Sequence, residues 1–335
     1  MNNKVYIFLP LYNLEPTQDI INKSFNGWKI IDRETYFSRY KKHFRKINQS
    51  FGYSMELDNI LRAPQAGMLH THPITRYTLV KNLKLLPYIN QKNADTNQKC
   101  INTALSELRM FVIGARLLQA GNLQINKYYI LANSIYETSN LDISTTMDAI
   151  DNFIYRGSVF LENYKLNRIT LNKITRFGKN FVSTMQKLFI PINYFCEYYS
   201  AKNIYDKTLK LITALECILL GDKCSELKYT LQVRACTFLN RNVSETLKLA
   251  YDVRSKICHT GTVSKDELKK IKKLISDSSE RSNFDYILLF LRDYLEGIVR
   301  DILMKAITLM KRKNIEIKDI TKAIDDVLLK KGKSI

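Results

Sequence analysis

The chain has 335 residues, 45% of them apolar, enough to fill one large core or two ordinary ones. Its formal net charge of +20 is shared along its length, with 18 basic against 8 acidic residues over 1–135 and 34 against 24 over 136–335. This spread excludes a detachable basic tail. It favours polyanionic partners, with nucleic acid before acidic membrane surfaces. The alternative is a codon bias towards Asn, Ile, Lys and Tyr, which would give the same positive excess in a protein of any function.

Residues 1–135 alternate short β-prone runs with turns, which predicts a mixed α+β front domain. Pro10 has no amide hydrogen, so its run predicts an edge strand or a strand start. A helix is predicted from Ser106, as the N-cap, to Gly121, as the terminator. Strands are predicted within 4–14, 27–32 and 127–137. A role in sensing or in binding RNA is the hypothesis for this domain.

Residues 136–173 are predicted to connect the front domain to an all-α bundle over residues 174–335. Long amphipathic periods replace the short strands there, which indicates six or seven packed helices. Their predicted ranges are 181–200, with a bend or an entry at Pro191, then 203–220, 225–240, 244–259, 264–275, 284–312 and 317–331. The fold class is therefore α+β followed by a helical bundle, mainly α overall.

Three serines stand where helix N-caps are expected. Ser225 and Ser244 open their predicted helices, and Ser264 with Glu267 three residues later forms the pattern of a capping box.

The six cysteines lack CxxC spacing and mostly occupy apolar positions of helical patterns, which predicts reduced thiols in a cytoplasm. No run of eighteen apolar residues exists, so no membrane association is expected. The opening residues also lack the pattern of a secretory signal.

His70 and His72 flank Thr71 in a string that looks at first like a zinc site. A catalytic zinc needs a third protein ligand, and no Asp or Glu occurs from Pro73 to Pro87. No metal and no other cofactor is therefore predicted.

The basic run at residues 39–46 is a candidate RNA contact through Lys41, Lys42 and Arg45. Its aromatic residues can stack on bases while the cations meet phosphates. The alternative is a solvated helix face whose two aromatic side chains pack inward.

Arg254 and His259 lie near the C-terminal end of a predicted helix, with Gly261 as its terminator. Histidine serves as a base or an acid near neutral pH, and arginine binds phosphate through two hydrogen bonds. Five residues at 100° each place the two side chains about 140° apart, which suits a site completed by a second chain. The alternative is a structural pair at a helix end, because spacing this loose also arises by chance.

The stretch around this pair resembles the Apea-like branch of the HEPN superfamily. The similar features are a helix with Ala214, Leu215 and Glu216, a following helix from Ser225 that reaches Arg234, and the string Arg-Ser-Lys-Ile-x-His-x-Gly from Arg254 to Gly261. Many HEPN nucleases carry Asn, Asp or His directly after the arginine, and Ser255 stands there in this chain.

The resemblance implies a metal-independent endoribonuclease, often a toxin or an abortive-infection effector in antiviral defence. It implies a homodimer in which two Arg254–His259 motifs share one cleft, with RNA as the partner. The supporting candidates are Ser255, Lys256 and Glu216. Two interpretations of Glu216 are open. It either orients Arg254 or is a buried carboxylate whose hydrogen bonds come from Arg234 or a backbone amide. Arg234 is also a candidate RNA contact. A phage-derived trigger is part of this hypothesis. The alternative is a non-catalytic HEPN module that binds RNA, a nucleotide or another protein.

Overall fold

The computed structural model divides the chain into two compact units, Met1–Gly178 and Lys179–Ile335. The chain is mainly helical, with a small sheet in the first unit, which confirms the α+β, mainly α class. The residues that the structure describes are 3–11, 14–32, 35, 77–86, 91–119, 121, 123, 129–132, 164–201, 203–220, 226–274 and 284–332.

The first unit holds a five-stranded antiparallel sheet, a parallel strand pair and a long helix. The elements are β1 (Asn3–Leu11), β2 (Leu14–Pro16), β3 (Ser24–Phe25), β4 (Trp28–Asp32), β5 (Tyr77–Leu85), α1 (Gln91–Leu118), β6 (Tyr129–Ala132) and β7 (Tyr164–Leu166). The sheet order is β3-β4-β5-β1-β6, and β2 pairs with β7. Alternate side chains of β1 point to one face, so Ile7 and Leu9 share a buried cluster with Ile101 and Leu108 of α1.

Two predictions for this unit are wrong. Strand β1 is not at an edge, because β5 and β6 both pair with it. Its partner β6 covers only Val5 to Phe8, so Pro10 lies where β1 has β5 alone as a neighbour. Helix α1 begins at Gln91 and not at Ser106.

The remaining helices agree with their predicted positions from residue 203 onward. They are α2 (Arg168–Lys187), α3 (Phe189–Ser200), α4 (Ile204–Leu219), α5 (Leu227–Leu239), α6 (Ser244–Thr260), α7 (Lys265–Leu274), α8 (Phe284–Lys313) and α9 (Ile317–Gly332). The helix predicted over 181–200 is the end of α2 followed by α3, and Pro191 lies in the first turn of α3, where its missing amide hydrogen costs nothing.

Helix α4 lies at the centre of the second unit. Its apolar side chains Leu211, Leu215 and Ile218 are fully buried, and α3, α6 and α8 pack against it. This packing places the C-terminal turn of α4 beside the middle of α6.

A buried polar group links α3 to α8. The Tyr199 hydroxyl donates a hydrogen bond to Glu296 Oε1 over 2.6 Å, and Arg300 forms an ion pair with the same carboxylate. Burial raises the pKa of Glu296, and Arg300 opposes that rise. The arrangement satisfies a carboxylate that would otherwise be costly to bury.

The capping box at the start of α7 is confirmed. The amide of Glu267 donates to Ser264 Oγ over 3.3 Å, and the amide of Ser264 donates to Glu267 Oε2 over 2.9 Å. The Ser244 cap is wrong, since Ser244 is the first residue of α6 and its amide donates to Asn242 Oδ1. Ser225 lies outside the described residues.

Candidate functional site

Helix α6 ends as the sequence predicts, and its end exposes His259. Gly261 adopts the left-handed conformation at φ 71°, and its amide donates to the carbonyl of Ile257 over 3.1 Å. His259 lies in the last turn before this stop and is exposed to solvent. An imidazole in this position is accessible to a dissolved ligand.

Arg254 is held on the side of α6 that faces α4. Its Nη2 lies 3.6 Å from Glu216 Oε2, and its guanidinium carbon lies 5.4 Å from the ring centre of Tyr251. The Arg254 side chain remains 32% exposed. Two neighbours thus orient the guanidinium while part of it stays accessible.

The position of Glu216 lowers the stability of the fold, because a negative charge is unfavourable there. It lies in the last turn of α4, where the helix dipole disfavours negative charge, and its side chain is only 17% exposed. Its Oε1 is buried without a hydrogen-bond partner. Burial raises the pKa of Glu216, and Arg254 opposes that rise. Of the two interpretations of Glu216, this geometry supports the one in which it orients Arg254.

Arg254 and His259 do not share one face of α6. Because α6 is continuous from Ser244 to Thr260, five residues separate the two side chains by about 140° around the axis and about 7.5 Å along it. One helix therefore presents its arginine and its histidine in different directions.

The other two polar residues of the motif differ in access. Ser255 is half-buried, and Lys256 is exposed. Lys256 therefore meets the requirement of accessibility for contact with a phosphate, and Ser255 meets it only in part.

Arg234 has a structural role that its RNA-binding prediction did not foresee. Its Nε and Nη2 pair with both oxygens of Asp325, at 2.9 and 2.7 Å, and its Nη1 donates to the carbonyls of Leu219 and Leu220 at the end of α4. The Arg234 side chain is 13% exposed. We therefore assign Arg234 to holding α4, α5 and α9 together, and its role as an RNA contact stays a prediction.

The candidates in the front domain lie outside the described residues. These are Lys41, Lys42 and Arg45 of the basic run, and His70 and His72 of the rejected zinc string. Among the residues that are described, no three His, Cys, Asp or Glu side chains are grouped so as to hold a metal ion.

Tyr251 is a member of the site that sequence reasoning missed. It precedes Arg254 by three residues, a spacing that makes side chains neighbours on a helix surface. Burial, and then the nearby Glu216, raise the pKa of its hydroxyl. The spacing was available in the sequence, but which neighbour Arg254 would contact was not.

Within the described ranges, no helix is both long enough and apolar enough to cross a membrane. Comparison with known proteins finds no match to this chain among family models, curated proteins or solved structures.

Proposed function

We propose that this protein is a metal-independent endoribonuclease of the HEPN type that acts as a homodimer, with antiviral defence as its setting. The observation that carries the proposal is the end of α6, where an exposed His259 follows an Arg254 that is oriented by Glu216 and Tyr251 and still accessible. The resemblance of the surrounding sequence to HEPN proteins supports it.

These side chains match the chemical requirements of RNA cleavage by its own 2′-hydroxyl. A base removes the 2′-hydroxyl proton, the 2′-oxygen bonds to phosphorus, and the bond from phosphorus to the 5′-oxygen breaks as an acid protonates that oxygen. The products are a 2′,3′-cyclic phosphate and a 5′-hydroxyl. His259 supplies a base or an acid, and the Arg254 guanidinium stabilises the added negative charge on the phosphorane.

The reaction needs two proton-transfer groups, and one chain contributes a single exposed histidine at this site. Two chains arranged about a two-fold axis would contribute two copies of His259 and two of Arg254. The angular separation of the pair along α6 fits this arrangement, because the arginine of one chain could then serve the histidine of the other.

Substitution of His259 tests the enzyme proposal directly. His259→Ala should lower RNA cleavage by about 10²-fold or more, because proton transfer is lost. The matched control is Cys258→Ala, an exposed neighbour in the same turn, which should keep full activity. The ends of the product RNA are then analysed for the cyclic phosphate. Equal activity of the His259→Ala protein, or 3′-hydroxyl products, would contradict the proposal.

Mixing the two proteins tests the shared site. If both copies of His259 are needed, a one-to-one mixture after subunit exchange should retain about a quarter of the wild-type activity, since only dimers with two wild-type chains cleave. If a single copy of His259 is enough for cleavage, about half should remain. The second result would reject a cleft that needs both copies of His259, while leaving His259 as a catalytic residue.

A further inference from the structure

We propose that the lysine stripe of α7, defined as Lys265, Lys269 and Lys273, is the surface on which the RNA strand lies as it approaches His259. The inference rests on the proposed function and extends it by naming the element that binds substrate.

The three lysines form one solvent-facing line. At 100° per residue, positions 265, 269 and 273 fall within about 80° of the helix circumference. All three are exposed, whereas Glu267 and Ile271 on the opposite side are buried. The capping box at Ser264 defines where the helix starts and hence which side the lysines face.

Helix stability does not account for this line. Lys265 opens the helix, where the dipole disfavours a positive charge, and the successive spacings of four residues place like charges next to each other. Asp266 lies 3.6 Å from Lys269, but both side chains are about four-fifths exposed, at 83% and 78%, so water screens the pair. Lys273 lies in the last turn, where the dipole favours a cation, but Lys265 and the repulsion between like charges four residues apart weaken α7, and a polyanion on the stripe would relieve that repulsion.

The stripe lies close to His259 along the chain. A short turn from Gly261 to Ser264 joins the two helices, and α7 packs against α6. Six residues of chain limit the separation of the Cα atoms of His259 and Lys265 to about 22 Å. A strand of several nucleotides covers that distance, so phosphates on α7 and a scissile bond at His259 can belong to one RNA.

RNA is the occupant that these features favour over a membrane. A row of cations at regular spacing on one exposed face of a helix matches a strand of phosphates, and the stripe has no apolar side chain that could enter a lipid layer. Anionic vesicles therefore serve as the competing probe in the test.

The binding experiment uses the full chain with His259→Ala, so that the RNA stays intact. Binding of a labelled single-stranded oligouridylate is measured across a salt series for this protein, for the same protein with Lys265, Lys269 and Lys273 changed to Gln, and for a control with Lys318, Lys322 and Lys330 of α9 changed to Gln. The two triple variants lose equal charge, and Gln maintains helices nearly as well as Lys. Circular dichroism checks that each is folded.

The α7 variant should bind about tenfold or more weakly near 0.1 M salt, and its slope of log affinity against log salt should fall by about 2, as expected for three lost contacts to a single strand. The α9 control should stay within about twofold. Equal losses in both variants, no loss in either, or tighter α7-dependent binding to phosphatidylserine vesicles than to RNA would overturn the inference.

Cleavage assays separate this inference from the proposed function. With His259 intact, the α7 variant should raise KM about tenfold and leave kcat nearly unchanged. If His259→Ala still cleaves while the stripe still governs RNA binding, the proposed function fails and the inference stands. If cleavage needs His259 but the α7 variant shows an unchanged Kd and KM, the inference fails alone.

Discussion

Glu216 of α4 and Arg254 of α6 meet at 3.6 Å between Oε2 and Nη2, and the same guanidinium lies over the ring of Tyr251. Under the proposed function, this contact gives Glu216 the role of positioning Arg254. Glu216→Gln should lower kcat for RNA cleavage by about 10-fold and change KM little, because the guanidinium loses its orientation but stays present. Steady-state kinetics measures the split.

The matched control for that prediction is Glu245→Gln, an exposed acid on α6. It removes the same charge far from Arg254 and should leave kcat unchanged. A purely structural role for Glu216 would show as a lower unfolding free energy with unaltered kcat per folded molecule.

The raised pKa of Glu216 predicts how pH changes the effect of its replacement on stability. Between its ordinary value of 4.5 and its raised value, the folded protein holds the proton more tightly than the unfolded chain, so this group makes stability fall as pH rises. The Glu216→Gln protein lacks this fall in stability, because Gln does not titrate. The unfolding free energy of the variant relative to wild type should therefore increase with pH in that interval, by up to about 1.4 kcal/mol per pH unit. Urea titrations at several pH values measure it, and a constant or falling difference would contradict the prediction.

Tyr251 should act through its ring. Tyr251→Leu removes the face on which the Arg254 guanidinium lies and should lower kcat by about two- to fivefold, the scale of one partly exposed cation–π contact. Tyr251→Phe keeps the ring and serves as the control, with activity near that of wild type. Should the Phe variant be as impaired as the Leu variant, the hydroxyl and not the ring would be the active feature.

Arg234 should matter for stability and not for RNA. Arg234→Ala removes both contacts to Asp325 and both helix-end contacts, and should lower the unfolding free energy by about 2–4 kcal/mol. Asp325→Ala, at the more exposed partner, should cost less. At a temperature where the variants are folded, RNA affinity should stay within about twofold, and a larger loss would support Arg234 as an RNA contact.

The buried carboxylate between α3 and α8 should be among the sensitive positions of the second unit. Glu296→Ala removes the shared partner of Tyr199 and Arg300 and should lower the unfolding free energy by about 3–5 kcal/mol. Glu316→Ala is the control, because its ion pair with Lys187 is half exposed and should contribute at most about 1 kcal/mol. Similar losses of unfolding free energy in the Glu296→Ala and Glu316→Ala proteins would show that burial does not determine how much an ion pair contributes here. Chemical denaturation measures both variants.

Most helix positions after residue 203 follow from the sequence alone, because most of these helices bury one amphipathic face and its period of 3.6 is local information. The capping box of Ser264 with Glu267 and the stop at Gly261 are equally local, since they depend on residues within one turn. These signals located His259 in the last turn of α6 before any packing was known.

Other features depended on contacts between separate elements of the fold. The start of α1 is one: Asn97 bonds the amide and the carbonyl of Leu86 over 2.8 and 2.9 Å, which anchors a polar first half that has weak helical periodicity of its own. The interior place of β1 is another, because strand order depends on which distant strands pair. The partner of Glu216 is a third example. The packing of α4 against α6 pairs it with Arg254, whereas Arg234 pairs with Asp325. The sequence does not show this choice, because a charged side chain gains its partner only when packing brings the two within a few ångströms.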